Sequence, residues 1–175
     1  GTPSRSNEAY WSGTIPWASP KDMKAPVLSD TTEHVTEEGM KQGSKIAPAG
    51  SVLVVVRGLI LAHTVPVAVA GSDMAFNQDM RAFVAAPDVN PRYIYYWLLH
   101  NQHTLLGMVA DTTHGTKRIP MPDLLDTSLP LPPRSAQDGI VNVLSQLDNG
   151  ARALQAHRDC LSSMKQRLAS ALLPG

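Results

Sequence analysis

The sequence predicts an α+β fold: a small twisted sheet, mixed or antiparallel, with one or two packed helices, followed by a long C-terminal coiled-coil helix. Three observations predict it. Residues 46–69 are β-branched and apolar, residues 90–107 carry a capped amphipathic pattern, and residues 135–172 repeat apolar positions every seven residues with no interrupting proline. The chain has 175 residues, 43% hydrophobic and 17% charged, which is enough to bury a core and too apolar for a disordered polymer. A globular domain over 1–132 and a helical arm over 133–175 are expected.

The elements follow in order. Residues 1–32 are rich in Pro, Ser, Thr and Trp, and Pro16 and Pro20 disfavour a continuous helix or central strand, so an ordered loop with aromatic anchors is expected. Thr36 before Glu37 and Glu38 offers a helix start, which Gly39 and Gly43 keep short. Val52 to Val56 is a continuous apolar strand punctuated by Arg57-Gly58. Val65 to Val69 resumes the pattern, and Pro66 marks that run as an edge strand at best. Ala70-Gly71-Ser72 reads as a turn, and Arg81 to Ala85 as the next strand. Asn90-Pro91 opens a helix running to about Gly107, with Ile94, Trp97, Leu98 and Leu105 on its packed face. Residues 110–118 form a polar loop with one glycine, and Pro130, Pro132 and Pro133 close the globular part in extended chain.

In the C-terminal stretch, Ile140, Leu147, Leu154, Leu161 and Leu168 recur at a spacing of seven. The second seam position reads Leu144, Ala151, Arg158, Lys165 and Leu172, apolar at both ends and mixed in the middle. Gly139 and Gly150 each weaken a helix by about 1 kcal/mol relative to Ala without breaking the pattern. Such a helix is a rod of roughly 55 Å. It lies along its own domain or pairs with another helix; its length and the preceding prolines favour pairing, with Ile140, Leu144, Leu147, Leu154, Leu161, Leu168 and Leu172 as the dimerisation residues.

The formal charge is zero, which argues against holding nucleic acid by bulk electrostatics alone. Cys160 is the only cysteine, so neither a disulfide framework nor a multi-thiolate zinc site can form within the chain, a usage that suits a reducing cytoplasm. The most apolar region is interrupted by Arg57, His63 and Pro66 and does not read as a bilayer span. A Gly-rich phosphate loop, a G-x-S-x-G turn and an H-E-x-x-H pair do not occur, so a non-catalytic protein without metal or cofactor is expected. His100 and His103 could share a metal only with further ligands, and Asp111, His114 and Ser12 make a triad only on paper.

Arg57 stands where a strand ends and a side chain can leave the sheet, in a surface ion pair or a ligand contact. The loop Thr112 to Arg118 combines hydroxyls, a glycine and adjacent basic residues, which suits phosphates and base edges and equally suits an ordinary solvated loop. Trp11 and Trp17 either stack on bases or, as aromatic residues between prolines more often do, pin their loop to the core.

An ordered set of segments then resembles one family. These are Gly1-Thr2-Pro3-Ser4, Tyr10-Trp11, Gly13-Thr14-Ile15-Pro16-Trp17, Lys21-Asp22-Met23, Gly50-Ser51-Val52-Leu53, Val56-Arg57-Gly58, Asn77-Gln78-Asp79, Tyr93 to Leu99, Gly115-Thr116 and Leu129-Pro130-Leu131-Pro132-Pro133 with Gln137 and Ile140. Together they resemble the specificity subunits of type I restriction-modification systems over nearly the whole chain. The resemblance implies a target recognition domain reading one half of a bipartite site on double-stranded DNA, and a helical spacer setting the distance to the other half. It implies methyltransferase subunits as partners, with the restriction subunit beyond them, and leaves methyl transfer and cleavage to those subunits. The family carries two recognition domains and two spacers, whereas this chain carries one of each, as expected of a half-subunit that homodimerises through antiparallel long helices or of a fragment. The family also supplies a strand upstream of Gly1-Thr2-Pro3-Ser4 and commonly an acidic residue where Ala136 stands. Arg57, Arg81, His114, Thr116, Lys117 and Arg118 are the residues expected to contact DNA. The competing expectation is a coiled-coil adaptor that binds another protein through the same loops.

Overall fold

The computed structural model describes residues 1–113 and 115–173. Its strands divide into two four-stranded sheets and a hairpin. The first sheet has the order β3-β1-β7-β4, built from β1 (Ile15–Ala18), β3 (Glu33–Val35), β4 (Lys45–Ala47) and β7 (Met74–Phe76). The second has the order β2-β6-β5-β8, from β2 (Val27–Leu28), β5 (Val52–Val55), β6 (Val67–Ala70) and β8 (Met80–Phe83). Both are mixed: β1 runs parallel to β7 and β2 parallel to β6, and the other pairs are antiparallel. The chain passes between the sheets repeatedly, so neither is a separate unit. The helices are α1 (Glu37–Gly43), α2 (Pro91–His100), α3 (Gln102–Gly107), α4 (Met121–Leu125) and α5 (Arg134–Leu172), and the hairpin is β9 (Ala110–Asp111) with β10 (Lys117–Arg118).

The core sits around β5 and β6. Every residue of both strands is buried, as a continuous apolar run requires when both faces of a sheet are covered. One sequence expectation is corrected here: β6 is an interior strand, flanked by β2 and β5, despite Pro66. Pro66 stands just before the strand, where its missing N–H leaves no ladder bond unmade, and its carbonyl accepts from Val55 N–H at 3.0 Å. The strand expected at 81–85 is shifted to 80–83.

Local capping works as the sequence implies. Thr36 accepts from Gly39 N–H at 3.1 Å, and Asn90 accepts from Arg92 N–H at 2.9 Å with Pro91 in the first turn. Gly39 lies so close to Tyr10 that an added Cβ would stand 2.7 Å from its carbonyl oxygen. Residues 1–32, expected as a loop, instead contribute β1, an interior strand of the first sheet despite Pro16. Its Trp17 is buried, donates to Ser44 Oγ at 3.0 Å and meets Trp11 edge-on at 5.0 Å, so the aromatic pair fixes the preceding segment to that sheet. Arg5 lies 3.7 Å over the Trp11 ring and pairs with Glu33, whose carboxyl it holds below the usual range. Burial alone would raise Asp22, but donors from Ser19 and Thr32 outweigh it and hold this carboxyl below the usual range, tying the 3₁₀ turn 20–22 to the chain before β3.

The helix expected over 90–107 is two helices. Asn101 leaves helical geometry (φ −94°, ψ 22°) between α2 and α3, and its side chain donates to Trp97 O at 2.8 Å. The break turns Gln102 toward Val65. Its amide accepts from Val65 N–H and donates to Val65 C=O, both at 2.9 Å, replacing strand pairing at a buried residue. Leu98 and Leu105 are buried as expected, but Tyr95 and Tyr96 are more buried than Ile94 and Trp97, because α5 covers the tyrosine side of α2.

α5 is one continuous helix of 39 residues, with Gly139 and Gly150 inside it. Val141 and Gln137 are buried against the globular part, and Leu144 is half-buried there. Ile140, Leu147, Leu154, Leu161, Leu168 and Leu172 are exposed, from 42% at Ile140 to 76% at Leu172. At roughly 100° per residue, Val141 and Leu144 face the domain while the leucine seam lies about a third of a turn away. Among the described residues no helix is long and apolar enough to cross a membrane.

Leu105→Ala is expected to cost about 2–5 kcal/mol, because the residue is fully buried and its neighbours collapse only partly. Gln102→Ala is expected to cost about 1–3 kcal/mol by leaving both polar groups of Val65 unpaired. Urea unfolding of each variant against the parent chain measures both, and a Gln102→Ala midpoint equal to the parent's would show that water replaces the amide without loss.

Candidate nucleic-acid interface

The candidate site is built where the buried strand β5 reaches the surface. Val56 and Arg57 N–H both donate to Asp79 C=O, at 2.8 and 3.1 Å, so the strand end is held against the Asn77-Gln78-Asp79 turn. Gly58 follows at φ +135°, ψ 162°, a conformation open to glycine and strained for other residues. This lets the chain turn into the 3₁₀ segment Leu59–Ala62 while Gly58 N–H donates to Lys117 C=O at 2.9 Å. Arg57 and Arg118 form an antiparallel bridge, and Ile119 N–H donates to Val56 C=O at 2.9 Å. The polar segment expected as a loop is therefore a hairpin stitched to the end of the core strand.

Within the hairpin, Lys117 faces Asp111 and Arg118 faces Ala110. Thr112 N–H donates to Thr116 C=O at 2.8 Å, and the two hydroxyls are 2.8 Å apart. Gly115 at φ +76° supplies the left-handed residue the tight turn needs. His114 lies outside the described residues. Lys117 Nζ is 2.8 Å from Asp111 Oδ1, and Arg57 Nε is 2.6 Å from Asp79 Oδ1. Asp79 is itself set by Asn77, which is buried and bonds both its backbone N–H and its carboxylate. These partly exposed pairs are worth on the order of 0–1 kcal/mol each and orient their cations more than they stabilise the fold. Arg118 is exposed and makes no ion pair among the described residues.

Of the sequence candidates, the structure brings Arg57, Thr116, Lys117 and Arg118 together. Arg81 stands apart on β8, donating to Gln78 C=O and Met80 C=O, so it grips the opposite end of the turn that Arg57 reaches through Asp79. It lines a cleft of about 590 Å³ with Lys41, Lys45 and Gln78. Two features of the site are not legible in the sequence. The carboxylates that hold the cations, Asp79 and Asp111, carry no local signal. Leu59 is 67% exposed beside β10 while Leu61 is buried, an apolar tip visible only once the strand end becomes a 3₁₀ turn. Ser12 Oγ is bonded to Ala9 C=O, and Asp111 is engaged with Lys117, so these two residues are committed to local structure. Among the described residues no group of three or more His, Cys, Asp or Glu side chains is placed to hold a metal ion.

Known proteins share the sequence pattern and the overall fold. A family model described as Type I restriction modification DNA specificity domain matches residues 1–159. The Type I restriction enzyme EcoR124I/EcoR124II specificity subunit of Escherichia coli is 32% identical over 150 residues, covering 85% of this chain and 37% of that protein. The Type I restriction enzyme MjaIX specificity subunit of Methanocaldococcus jannaschii is 30% identical over 154 residues, covering 85% and 34%. Among solved structures, the HsdS subunit from Thermoanaerobacter tengcongensis aligns with a TM-score of 0.67 at 21% identity, covering 98% of this chain and 39% of that one. A chain from a study of complex assembly and conformational transition of the type I R-M system aligns at 0.74 and 19% identity, covering 98% and 41%. This chain thus spans between about a third and two-fifths of the length of these relatives, and the likeness to the two structures is one of fold. With a family match running from the first loop well into α5, the chain belongs to the type I restriction modification DNA specificity domain family.

Proposed function

We propose that this chain is a non-catalytic DNA sequence-recognition module, working in the cytoplasm, in which residues 1–132 read one half of a bipartite site on double-stranded DNA and residues 133–175 form the spacer. The observation that carries the reading is the basic hairpin stitched to the end of β5, which sets Arg57 across from Arg118 on the face that carries the paired hydroxyls of Thr112 and Thr116, with Lys117 on the alternate face beside Asp111. A rigid strand end delivering cations and hydroxyls through a glycine turn suits phosphate positioning and base-edge contact together. Family membership supports the same reading. In this scheme methyl transfer and cleavage are left to partner subunits, and the methyltransferase subunits dock on the arm.

The exposed leucine seam pairs with the arm of a second copy, so that two recognition domains address two half-sites related by a two-fold axis. Burying one such leucine contributes about 1.5–3 kcal/mol, so several together outweigh the cost of association. Arg158 and Lys165 in the polar stretch of the second seam position select the register of the pair. The second reading, a coiled-coil adaptor for another protein, draws support from the net charge of zero and the pairing of Arg57 and Lys117 with carboxylates.

A salt titration of duplex binding separates the two readings, since contacts to phosphates give an affinity that falls steeply with salt. The Lys117→Ala, Arg118→Ala double substitution is expected to weaken DNA binding and to reduce the salt slope by about one for each phosphate that is no longer neutralised; unchanged binding, assayed with the methyltransferase subunit, removes the hairpin from the interface. Leu154→Asp together with Leu161→Asp is expected to convert a dimer to a monomer in sedimentation equilibrium, leaving the globular domain folded. A parent chain that is monomeric at the same concentration would overturn the paired arm.

A further inference from the structure

The arm leaves the globular domain through an unusual joint. Gln137, in the first turn of α5, is 2% exposed. Its Oε1 accepts from Asn90 N–H at 2.8 Å, and its Nε2 donates to Pro132 C=O at 2.8 Å and Asp88 C=O at 3.4 Å. Asn90 is at the same time the N-cap of α2 and donates from Nδ2 to Asp138 Oδ1 at 2.6 Å. Arg134 closes the ring, reaching Asp138 Oδ1 at 2.8 Å and Pro87 C=O at 3.1 Å. Hydrogen bonds from Arg134 and Asn90 hold the Asp138 carboxyl below its usual range. The starts of α2 and α5 and the proline segment between the domain and the arm are thereby tied at one point.

A second tie lies further along. Tyr96 OH donates to Asp148 Oδ2 at 2.8 Å with Ser145 Oγ 3.3 Å away, and Val141 is buried between the two ties. From Asn149 onward every described residue of α5 is exposed. The direction of the rod is therefore set over about four turns, and about 24 further residues project as a lever of roughly 36 Å. A tilt of about 10° at the joint displaces the tip by about 6 Å, close to two base-pair steps of about 3.4 Å.

Resting on the DNA-reading function above, we infer that Gln137 is a positioning residue that locks the angle between the recognition domain and the spacer and so restricts which gap between half-sites is accepted. A residue serving only domain stability would not alter that gap. Gln137 reads no base itself and acts through Asn90 and the α2 cap.

The test uses the full chain and two readouts. For the first, spin labels on Cys160, the exposed sole cysteine, and on a cysteine introduced by Glu38→Cys report the domain-to-arm distance, with excess unlabelled chain suppressing pairs between copies. The parent chain is expected to give one narrow distance distribution and Gln137→Leu a broad one, whereas Leu105→Ala, destabilised elsewhere, stays narrow. Asp138→Ala, on an exposed side chain, is expected to broaden it as well and carries the test if Gln137→Leu does not fold. An unchanged distribution in the folded variants overturns the joint. For the second readout, sites are selected from a random-sequence duplex library with the methyltransferase subunit present. The parent is expected to select half-sites at one gap, and the variant the same half-sites with gaps one base pair longer and shorter. A variant that broadens the distance but keeps the single gap overturns the role in spacing. A parent that selects no bipartite sequence overturns the DNA-reading function, while the distance measurement still decides the joint.

Discussion

A buried amide between two helices is the constraint on which the arrangement of this molecule depends. Gln137 is shut away from solvent, so its carbonyl and amino groups must find protein partners, and it finds them in the half-buried backbone of Asn90 and Pro132 and, at 3.4 Å, in Asp88. One side chain thus bonds both the start of α2 and the proline segment leading to α5. An apolar side chain of similar size would fill the space but make none of these bonds between the two segments.

The candidate interface follows a different logic, in which an immobile strand carries an exposed edge. β5 cannot shift, since each of its residues is packed on both faces. Whatever emerges from its end inherits that fixed position. Gly58 allows the turn, the hairpin is bonded back through Lys117 and Ile119, and Asp79 takes up the Arg57 guanidinium. Arg57 and Lys117 are thus oriented by Asp79 and Asp111, while Arg118 is exposed without an ion pair among the described residues.

α5 divides its circumference between two tasks. Val141 and Leu144 pack on the globular domain, while Leu147, Leu154, Leu161 and Leu168 remain exposed on an adjacent face. Leu144 fits the heptad in sequence but serves the domain in space. The periodicity of seven and the packing of the first four turns overlap in the same segment, and a helical repeat cannot distinguish a seam facing a partner from one facing its own fold.

Much of this protein was legible in its residues. The continuous burial of β5, the caps at Thr36 and Asn90, and an unbroken α5 all arise from interactions within a few positions along the chain, and such local rules leave a local trace. The resemblance carried by ordered segments located the family for the same reason, since each segment is a short run. Tertiary structure alone decided the rest. Pro66 precedes an interior strand because β2 supplies a neighbour from some forty residues away. Asn101 breaks the long helix where Gln102 can serve Val65, and Arg81 is separated from Arg57 although both grip one turn. The Gln137 joint spans 47 residues between Asn90 and Gln137. Its meaning lies in the burial of the Gln137 amide, whose need for partners from two distant backbone segments appears only when folding has taken the water away from it.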